Sequence, residues 1–193
     1  MTQGSGRLSG KVAVVTGSTQ GLGEAIARAF AAEGAAGLVL TGRNAARGAR
    51  IRDDLVRLGT PAVFAHADLA DVEAARSVIA AADHQFGRVD VLVNAAGLTD
   101  RGTIFDTSEA RFNELFAVNV RAPFFLTQDA VKIMAREKIA GSIINIQSMS
   151  AHGGQPFLSA YSSSKGALAT LTRNLAFALV KHRIRVNGLN IGW

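Results

Sequence analysis

VAVVTGSTQGLG, residues 12–23, contains a strand, a turn and the start of a helix. Its first four residues are apolar and mostly β-branched, which predicts a short buried strand within 11–16. A glycine-rich turn follows, and a helical pattern extends from about 22 to 33. Strand, glycine-rich turn and helix in this order are typical of a dinucleotide site, where free N–H groups at the helix start face a phosphate.

The three glycines of this turn have separate roles. Gly17 permits the tight turn, and Gly21 and Gly23 let the backbone approach a pyrophosphate and let the helix pack close to the strand. The spacing is Gly-x-x-x-Gly-x-Gly, and glycines before a helix also occur in simple flexible turns. The strand–helix alternation that follows favours a cofactor site. Its predicted residues in this turn are Gly17, Ser18, Gln20, Gly21, Leu22 and Gly23.

Strands and helices alternate through the rest of the chain. Five further apolar runs predict strands, and helical patterns fill the intervals between them. The strands are predicted at 36–41, 61–67, 89–93, 141–147 and 184–191, and the helices at 45–58, 72–86, 106–138 and 159–183. This alternation predicts an α/β fold with a doubly wound parallel sheet, a three-layer Rossmann fold, as one domain over residues 1–193. Asp106 and Glu109 are predicted to form a capping box.

Composition excludes several classes of site. The chain has 193 residues, 48% of them hydrophobic, and no cysteine, which rules out disulfides and thiolate metal ligands. The formal charge is +6, but the densest group of arginines, within 43–57, has the pattern of a solvated helix face and lacks the aromatic residues of a nucleic-acid site. Residues 1–10 lack an apolar leader and no run reaches membrane-spanning length. We expect a cytoplasmic protein without nucleic-acid, membrane or metal partners.

The end of the second predicted strand bears on the choice of cofactor. A carboxylate at this point would bind a ribose 2′-hydroxyl and repel a 2′-phosphate. The sequence instead has Thr41-Gly42-Arg43-Asn44, in which the Arg43 guanidinium can fork onto a phosphate. We therefore expect NADP in preference to NAD. The alternative is that Arg43 is a solvated loop residue, that Asn44 caps the next helix and that NAD is used.

The next two strand ends carry further candidates. Asp68 and Leu69 follow the third strand, and Asp68 either binds the adenine amino group or caps a helix, although Asp71 is better placed for the cap. Asn94-Ala95-Ala96-Gly97 follows the fourth strand, where small side chains allow a ribose or a loop to approach. Asn94 either contacts the cofactor or ties this loop to a neighbouring strand. All of these residues except Asp71 are predicted cofactor contacts.

Tyr161 and Lys165 stand four residues apart on the last predicted helix and therefore share a face. A cation beside a phenol lowers the phenol pKa, and such a phenol can exchange a proton with a substrate oxygen. Surface pairs of this kind are common, and the spacing alone is weak evidence. Pro123 stands four residues after Asn119, where its ring leaves the Asn119 carbonyl without a helical donor and open to a water. The alternative, which the spacing alone favours, is an ordinary proline kink.

These blocks together resemble the short-chain dehydrogenase/reductase family, in its compact single-domain branch. The matching residues are Thr16, Gly17, Gly21, Gly23, Asp68, Leu69, Asn94 to Gly97, Asn119, Ser148, Tyr161 and Lys165, in the family's order. The resemblance implies that Tyr161 is the general acid or base and that Lys165 lowers its pKa and holds the nicotinamide ribose. It also implies that Ser148 binds the substrate oxygen and that Asn119 holds a water linked to Lys165.

Two departures concern the C-terminus. Ile191-Gly192 stands where the family has Pro-Gly, and the substrate-covering helices and last strand of the family do not follow. Ending on the sixth strand would leave a long unpaired edge. Either the sequence is part of a longer protein or the protein has lost the substrate-covering elements, and the unpaired edge favours the first.

The expected function is an NADP(H)-dependent oxidoreductase that transfers hydride between the nicotinamide and a carbonyl or secondary alcohol. The alternatives are an NAD-dependent polyol or sugar dehydrogenase and a catalytically silent nucleotide-binding scaffold. The resemblance implies a homo-oligomer, a dimer or tetramer, paired through the two long helices. The substrate is expected to contact residues of the loop before the last helix, namely Met149, Ser150, His152, Gln155 and Phe157.

Overall fold

Strand β1 lies inside a six-stranded parallel sheet in the computed structural model, which describes residues 6–192. The strand order is β3-β2-β1-β4-β5-β6, and this confirms the predicted doubly wound sheet. The strands are β1 (Val12–Val15), β2 (Gly37–Gly42), β3 (Ala62–His66), β4 (Val91–Asn94), β5 (Ser142–Ser148) and β6 (Arg185–Ile191). The N-terminal residues 1–5 of the predicted polar segment, and Trp193, lie outside the described residues.

Helices cover both faces of the sheet. The longer helices are α1 (Gly21–Ala32), α2 (Ala45–Arg57), α3 (Val72–Phe86), α4 (Glu109–Phe116), α5 (Ala122–Arg136) and α6 (Ser159–Ala178). A π-helix (Ala117–Arg121) separates α4 from α5, and two 3-10 turns lie at Met149–Ala151 and Val180–His182. Among residues 6–192, no helix is both long enough and apolar enough to cross a membrane.

Two apolar cores lie on opposite faces of the sheet. Alternate residues of β1 supply both: Val14 packs with α3 and α5, whereas Ala13 and Val15 pack with α1 and α2. Every residue of β1 is buried, as expected for a central strand of a parallel sheet. The four consecutive residues of 12–15 are therefore apolar because β1 is buried on both faces of the sheet.

A chain of buried polar side chains fixes α6 to the sheet. Asn94 at the end of β4 donates to the side-chain oxygen of Asn145 on β5 at 2.8 Å. The amides of Asn145 and Gln147 both donate to the Thr172 hydroxyl of α6 at 2.9 Å, and that hydroxyl donates to the Leu168 carbonyl. These hydrogen bonds join β4, β5 and α6 and hold in place the helix that carries Tyr161.

The helix starts follow the predictions with one exception. Asp71 caps α3 through a side-chain hydrogen bond, as predicted, and Asn44 caps α2, which is the alternative given for it above. The predicted capping box of Asp106 and Glu109 is wrong. Ser108 caps α4, and Asp106 instead accepts from the backbone and hydroxyl of Thr103 in the preceding turn.

Two long predicted helices are interrupted. The predicted helix 106–138 contains the π-helix just before Pro123, which has no N–H to continue the α-helical hydrogen bonds. The predicted helix 159–183 ends at Ala178 and continues as a 3-10 turn, which Arg183 closes with a φ of 58°.

Candidate active site

Two adjoining cavities open at the carboxyl ends of the strands. The glycine-loop cleft has a volume of about 280 Å³, the tyrosine cavity has about 670 Å³, and Leu22 lines both. They lie where the strand order reverses between β1 and β4, the position at which ligands bind open α/β sheets. The glycine-loop cleft is lined by Val118 and by residues of 17–23, 42–43, 67–69 and 95–98. The tyrosine cavity is lined by Leu22 and by residues of 99–101, 146–150, 158–165 and 191–192.

Steric limits explain two of the glycines. Gly17 has a φ of 65°, and a Cβ there would lie 2.8 Å from the Ala96 Cα. A Cβ on Gly23 would lie 2.4 Å from the Gly17 carbonyl oxygen. Both positions therefore require glycine, because the turn, the start of α1 and the loop after β4 are in close contact.

The start of α1 offers free donors to the cleft. Gln20 stands at the N-cap position, but its side chain makes no capping hydrogen bond. Gly21 has a φ of 55°, and a Cβ there would have no neighbour within 4 Å. Uncapped N–H groups beside open space, at the positive end of a helix dipole, suit a phosphate.

Thr16 joins the two loops that form the cleft. Its buried hydroxyl accepts from the backbone N–H groups of Ala95 and Ala96, both at 3.0 Å. Thr16 belongs to the family pattern but is not among the predicted site residues. Its position directly after a buried strand and before Gly17 is the sequence signal for this positioning role.

Ser18 and Asn94 lie behind the cleft and do not line it. The buried Ser18 hydroxyl accepts from the Thr41 backbone N–H at 2.9 Å and so ties the glycine loop to β2. Asn94 is turned toward Asn145, which agrees with the second of the two roles considered for it. Thr19, which was not predicted, lines the cleft instead of Ser18.

All the other residues predicted to bind the cofactor in this region line the cleft. They are Gly17, Gln20, Gly21, Leu22, Gly23, Arg43, Asp68, Leu69, Ala95, Ala96 and Gly97. Arg43 is exposed at the end of β2, and its carbonyl lies 3.1 Å from His66 Nε2. Arg47, on the first turn of α2, donates to the Gln20 side chain at 2.5 Å. Two guanidinium groups, those of Arg43 and Arg47, therefore lie at this end of the cleft.

Ser148, Tyr161 and Lys165 line the tyrosine cavity together. Ser148 is the last residue of β5, and the other two lie one turn apart on α6. The Ser148 oxygen accepts from the Ser150 backbone N–H at 3.1 Å, which leaves the hydroxyl hydrogen for another acceptor. Met149 and Ser150 also line the cavity, whereas His152 is turned toward Asn190, with 3.3 Å between Nε2 and Oδ1.

Lys165 is buried although it carries an ammonium group. It is 5% exposed, and burial lowers its pKa from the ordinary 10.5 to about 8. Its Nζ donates to the Ile146 carbonyl at 2.9 Å and lies 5.9 Å from the centre of the Tyr161 ring. The hydrogen bond to a carbonyl favours the charged form and opposes the effect of burial on the pKa.

Asn119 lies on the π-helix and is fully buried. Its side-chain oxygen accepts from the Leu98 N–H at 2.8 Å, and its amide donates to the Leu98 carbonyl at 2.9 Å and to the Ser164 hydroxyl at 3.0 Å. The Ser164 hydroxyl donates to the Tyr161 carbonyl at 2.7 Å. Ser164 was not predicted, and it links the loop after β4 to the helix of Tyr161.

Acidic residues do not form a metal site here. Among residues 6–192, no group of three or more histidine or carboxylate side chains is arranged to hold a metal ion.

The chain is similar to many characterised and solved proteins. A family model described as short chain dehydrogenase matches residues 11–193. Galactitol 2-dehydrogenase of Agrobacterium fabrum is 33% identical over 186 residues, 96% of this chain and 71% of that protein. NADP-dependent (R)-specific alcohol dehydrogenase of Lentilactobacillus kefiri is 35% identical over 190 residues, 97% of this chain and 74% of that protein.

A solved structure extends the similarity to three dimensions. A metagenomic short-chain oxidoreductase in complex with NADP superposes with a TM-score of 0.90 at 35% identity, covering 96% of this chain and 84% of that one. The family match spans nearly all of the chain, and the fold and the order of the blocks agree with it. The chain therefore belongs to the short-chain dehydrogenase family of oxidoreductases.

Proposed function

We propose that this chain is an NADP(H)-dependent oxidoreductase that interconverts a carbonyl compound and a secondary alcohol, with Tyr161 as the general acid or base. One observation carries the proposal. Ser148, Tyr161 and Lys165 line a single cavity that adjoins the glycine-loop cleft through Leu22. Nothing in the stability of the sheet requires these three polar groups at one place.

A dinucleotide fits the residues of the cleft. The uncapped start of α1 and the open space at Gly21 suit its phosphates, and Arg43 suits a 2′-phosphate. Asp68, Ala95, Ala96 and Gly97 would contact the adenosine and the nicotinamide ribose. The nicotinamide, when bound, supplies or accepts the hydride.

The protein groups bind the substrate oxygen and move its proton. The Ser148 hydroxyl, which already accepts from the Ser150 N–H, donates to the substrate oxygen where negative charge develops. The Tyr161 hydroxyl gives its proton to this oxygen in reduction and takes it back in oxidation. Lys165 places an ammonium nitrogen 5.9 Å from the centre of the Tyr161 ring, and its remaining N–H groups would serve the ribose hydroxyls.

Asn119 acts through its backbone carbonyl in this proposal. Both hydrogens of its amide are already donated, to the Leu98 carbonyl and the Ser164 hydroxyl. Pro123 leaves the Asn119 carbonyl without the usual helical donor. This carbonyl would hold the water that connects Lys165 to solvent and returns the proton.

Tyr161→Phe tests the proton transfer. The variant should bind NADPH with nearly the wild-type Kd, measured by fluorescence titration, and should lose turnover. Tyr161 is the only tyrosine of the chain, and the loss of its phenol can be verified by absorbance. Unchanged turnover would refute the role of Tyr161. NADPH binding by the wild type without turnover of any ketone or alcohol would favour the silent scaffold.

Arg43→Ala tests the choice of NADP. A charge-assisted hydrogen bond contributes about 1.5–3 kcal/mol. We therefore expect kcat/KM with NADPH to fall about 10- to 150-fold and that with NADH to change little. Arg50→Ala is the matched control. Arg50 is exposed, as Arg43 is, but it lies on α2 and does not line the cleft. A wild-type preference for NADH would refute the argument and favour the NAD-dependent polyol or sugar dehydrogenase, which the similarity to galactitol 2-dehydrogenase supports.

A homo-oligomer is the second part of the proposal. Phe112, Phe124 and Phe177 expose 42%, 42% and 86% of their surface on α4, α5 and α6. Large apolar residues exposed on neighbouring helices are typical of a subunit interface. Light scattering should show a dimer or tetramer, and Phe177→Glu should shift the mass toward the monomer if α6 forms the interface.

A further inference from the structure

We propose that Arg101 binds a carboxylate of the substrate and that the enzyme therefore acts on hydroxy acids and the corresponding oxo acids. This inference deepens the proposed oxidoreductase function and rests on it. Arg101 lies in the loop after β4 and lines the tyrosine cavity together with Ser148 and Tyr161. It belongs to neither the glycine loop nor the proton-transfer residues.

The loop that carries Arg101 is held firmly by another arginine. Arg111 on α4 donates to the Thr99 carbonyl at 2.6 Å, and its Nε lies 3.5 Å from Asp100 Oδ1. Arg111 also donates to Glu114 at 2.5 Å, which fixes the guanidinium from the helix side. The backbone on the N-terminal side of Arg101 is therefore anchored to α4 at the rim of the cavity.

Phe157, in the loop before α6, contacts the Arg101 side chain. The Arg101 guanidinium carbon lies 5.5 Å from the centre of the Phe157 ring, a cation–π contact. Phe157 belongs to the loop that leads into α6, one residue before Leu158, which lines the cavity. A cation–π contact uses none of the guanidinium N–H donors in a hydrogen bond, so they remain available to a planar acceptor.

The charges around the cavity do not cancel. Asp100, Arg101 and Lys165 are its charged lining residues. Asp100 is paired with Arg111, and Lys165 is buried against the Ile146 carbonyl. Arg101 forms no ion pair with any carboxylate of residues 6–192. An exposed rim of the cavity therefore carries one uncompensated positive charge.

A carboxylate fits this charge better than a phosphate monoester. A guanidinium binds either group through two parallel N–H donors. Both a carboxylate and a phosphate offer the pair of anionic oxygens that these donors need. A phosphate monoester carries a charge near −2 at neutral pH, whereas a carboxylate carries −1. One arginine at the rim balances one negative charge, and Asp100 beside it is already paired with Arg111. The reacting carbonyl would then lie at Ser148 and Tyr161 and the carboxylate at Arg101.

The test compares acids with their neutral amides. Short hydroxy acids and their primary amides have the same shape but differ in charge, and each pair is assayed with NADP in the full protein. The wild type should prefer the acid by at least about tenfold in kcat/KM. Arg101→Gln should remove the preference by raising the KM for the acid. Arg50→Gln, which makes the same change of charge on an exposed site of α2, should keep it.

Three results would overturn the inference. Equal use of acids and amides by the wild type would do so, as would an unchanged preference in Arg101→Gln. A preference of the wild type for phosphorylated alcohols over hydroxy acids would replace the carboxylate with a phosphate. Each of these leaves the oxidoreductase function intact, because turnover is still observed.

Failure of the proposed function would look different. It would appear as no turnover of any acid, amide, phosphate ester, neutral ketone or neutral alcohol with either nicotinamide. Calorimetric titration of the hydroxy acids into Tyr161→Phe, with and without Arg101→Gln, does not depend on turnover and decides the role of Arg101 separately. Acid binding that is at least about tenfold weaker without Arg101 supports the role, and equal binding refutes it.

Discussion

Replacing the buried lysine should stabilise the protein. Lys165 is 5% exposed, and burial lowers its pKa from 10.5 to about 8. Each unit of pKa difference between the folded and unfolded states corresponds to a free energy of about 1.4 kcal/mol. Keeping Lys165 charged in the folded protein below pH 8 therefore lowers the free energy of unfolding by about 3 kcal/mol. The hydrogen bond to the Ile146 carbonyl offsets part of this cost. We expect Lys165→Met to raise the free energy of unfolding by about 1–3 kcal/mol at pH 7.

The pH dependence identifies the cause. Between about pH 8 and 10.5 the unfolded chain keeps the Lys165 proton and the folded wild type has lost it. The free energy of unfolding of the wild type therefore receives a rising contribution from Lys165 as the pH increases across this window. The methionine variant receives no such contribution. Its advantage should be complete below pH 8, shrink through the window and vanish above it.

The assay is urea unfolding followed by circular dichroism at several pH values from 7 to 10.5. Lys132→Met is the control, because Lys132 is exposed on α5 and lies 2.8 Å from Asp129. That variant should show no advantage at pH 7. A Lys165→Met protein that is no more stable than the wild type at pH 7, or whose advantage does not change with pH, would refute the reasoning. The variant should also lose activity, which would show that a destabilising charge is retained for function.

Three further predictions concern positions around the sheet. Gly17→Ala should lower the free energy of unfolding by about 2 kcal/mol or more and abolish NADPH binding. The reason is that Gly17 has a φ of 65° and that the added methyl group would lie 2.8 Å from the Ala96 Cα. Thermal unfolding measures the first effect and fluorescence titration the second. Burial raises the pKa of Asp90, but hydrogen bonds led by Arg88 outweigh this and lower it overall. The stability that depends on Asp90 should therefore be present above about pH 4 and be lost as the pH falls further, and Asp90→Asn should flatten the acid limb of a stability–pH curve. Ser164→Ala should cost about 1–2 kcal/mol in urea unfolding with the dichroism spectrum unchanged, because it removes a fully buried hydroxyl.

The sequence was most informative where local chemistry decides the structure. Asp71 caps α3 as predicted, and Asn44 caps α2 as in the alternative considered for it, because a cap needs only its own side chain and the next turn. The φ of 65° at Gly17 agrees with its predicted role in the tight turn, and the close approach of Gly23 to Gly17 agrees with the predicted close packing of the helix start. The cap of α4 was predicted wrongly because Asp106 and Ser108 compete for nearby N–H groups, and Asp106 binds those of the preceding turn.

Long-range packing accounts for what the sequence did not reveal. Whether Ser18 or Thr19 lines the cleft depends on how the glycine loop lies against β2, which no local pattern encodes. Arg101 lines the tyrosine cavity from a loop that Arg111, ten residues later, holds through the Thr99 carbonyl. The position of a residue relative to a distant strand or helix is set by the whole fold, and spacing along the chain does not report it.

The buried chain from Asn94 through Asn145 to Thr172 has a consequence for evolution. Replacing any one member by an apolar residue leaves its partner without a hydrogen bond inside the protein, at a cost of about 1–3 kcal/mol. Total stabilities of about 5–15 kcal/mol allow few such intermediates. Descendant sequences should therefore retain these amides and this hydroxyl together or exchange them together, and a double replacement should cost less than the sum of its two single steps.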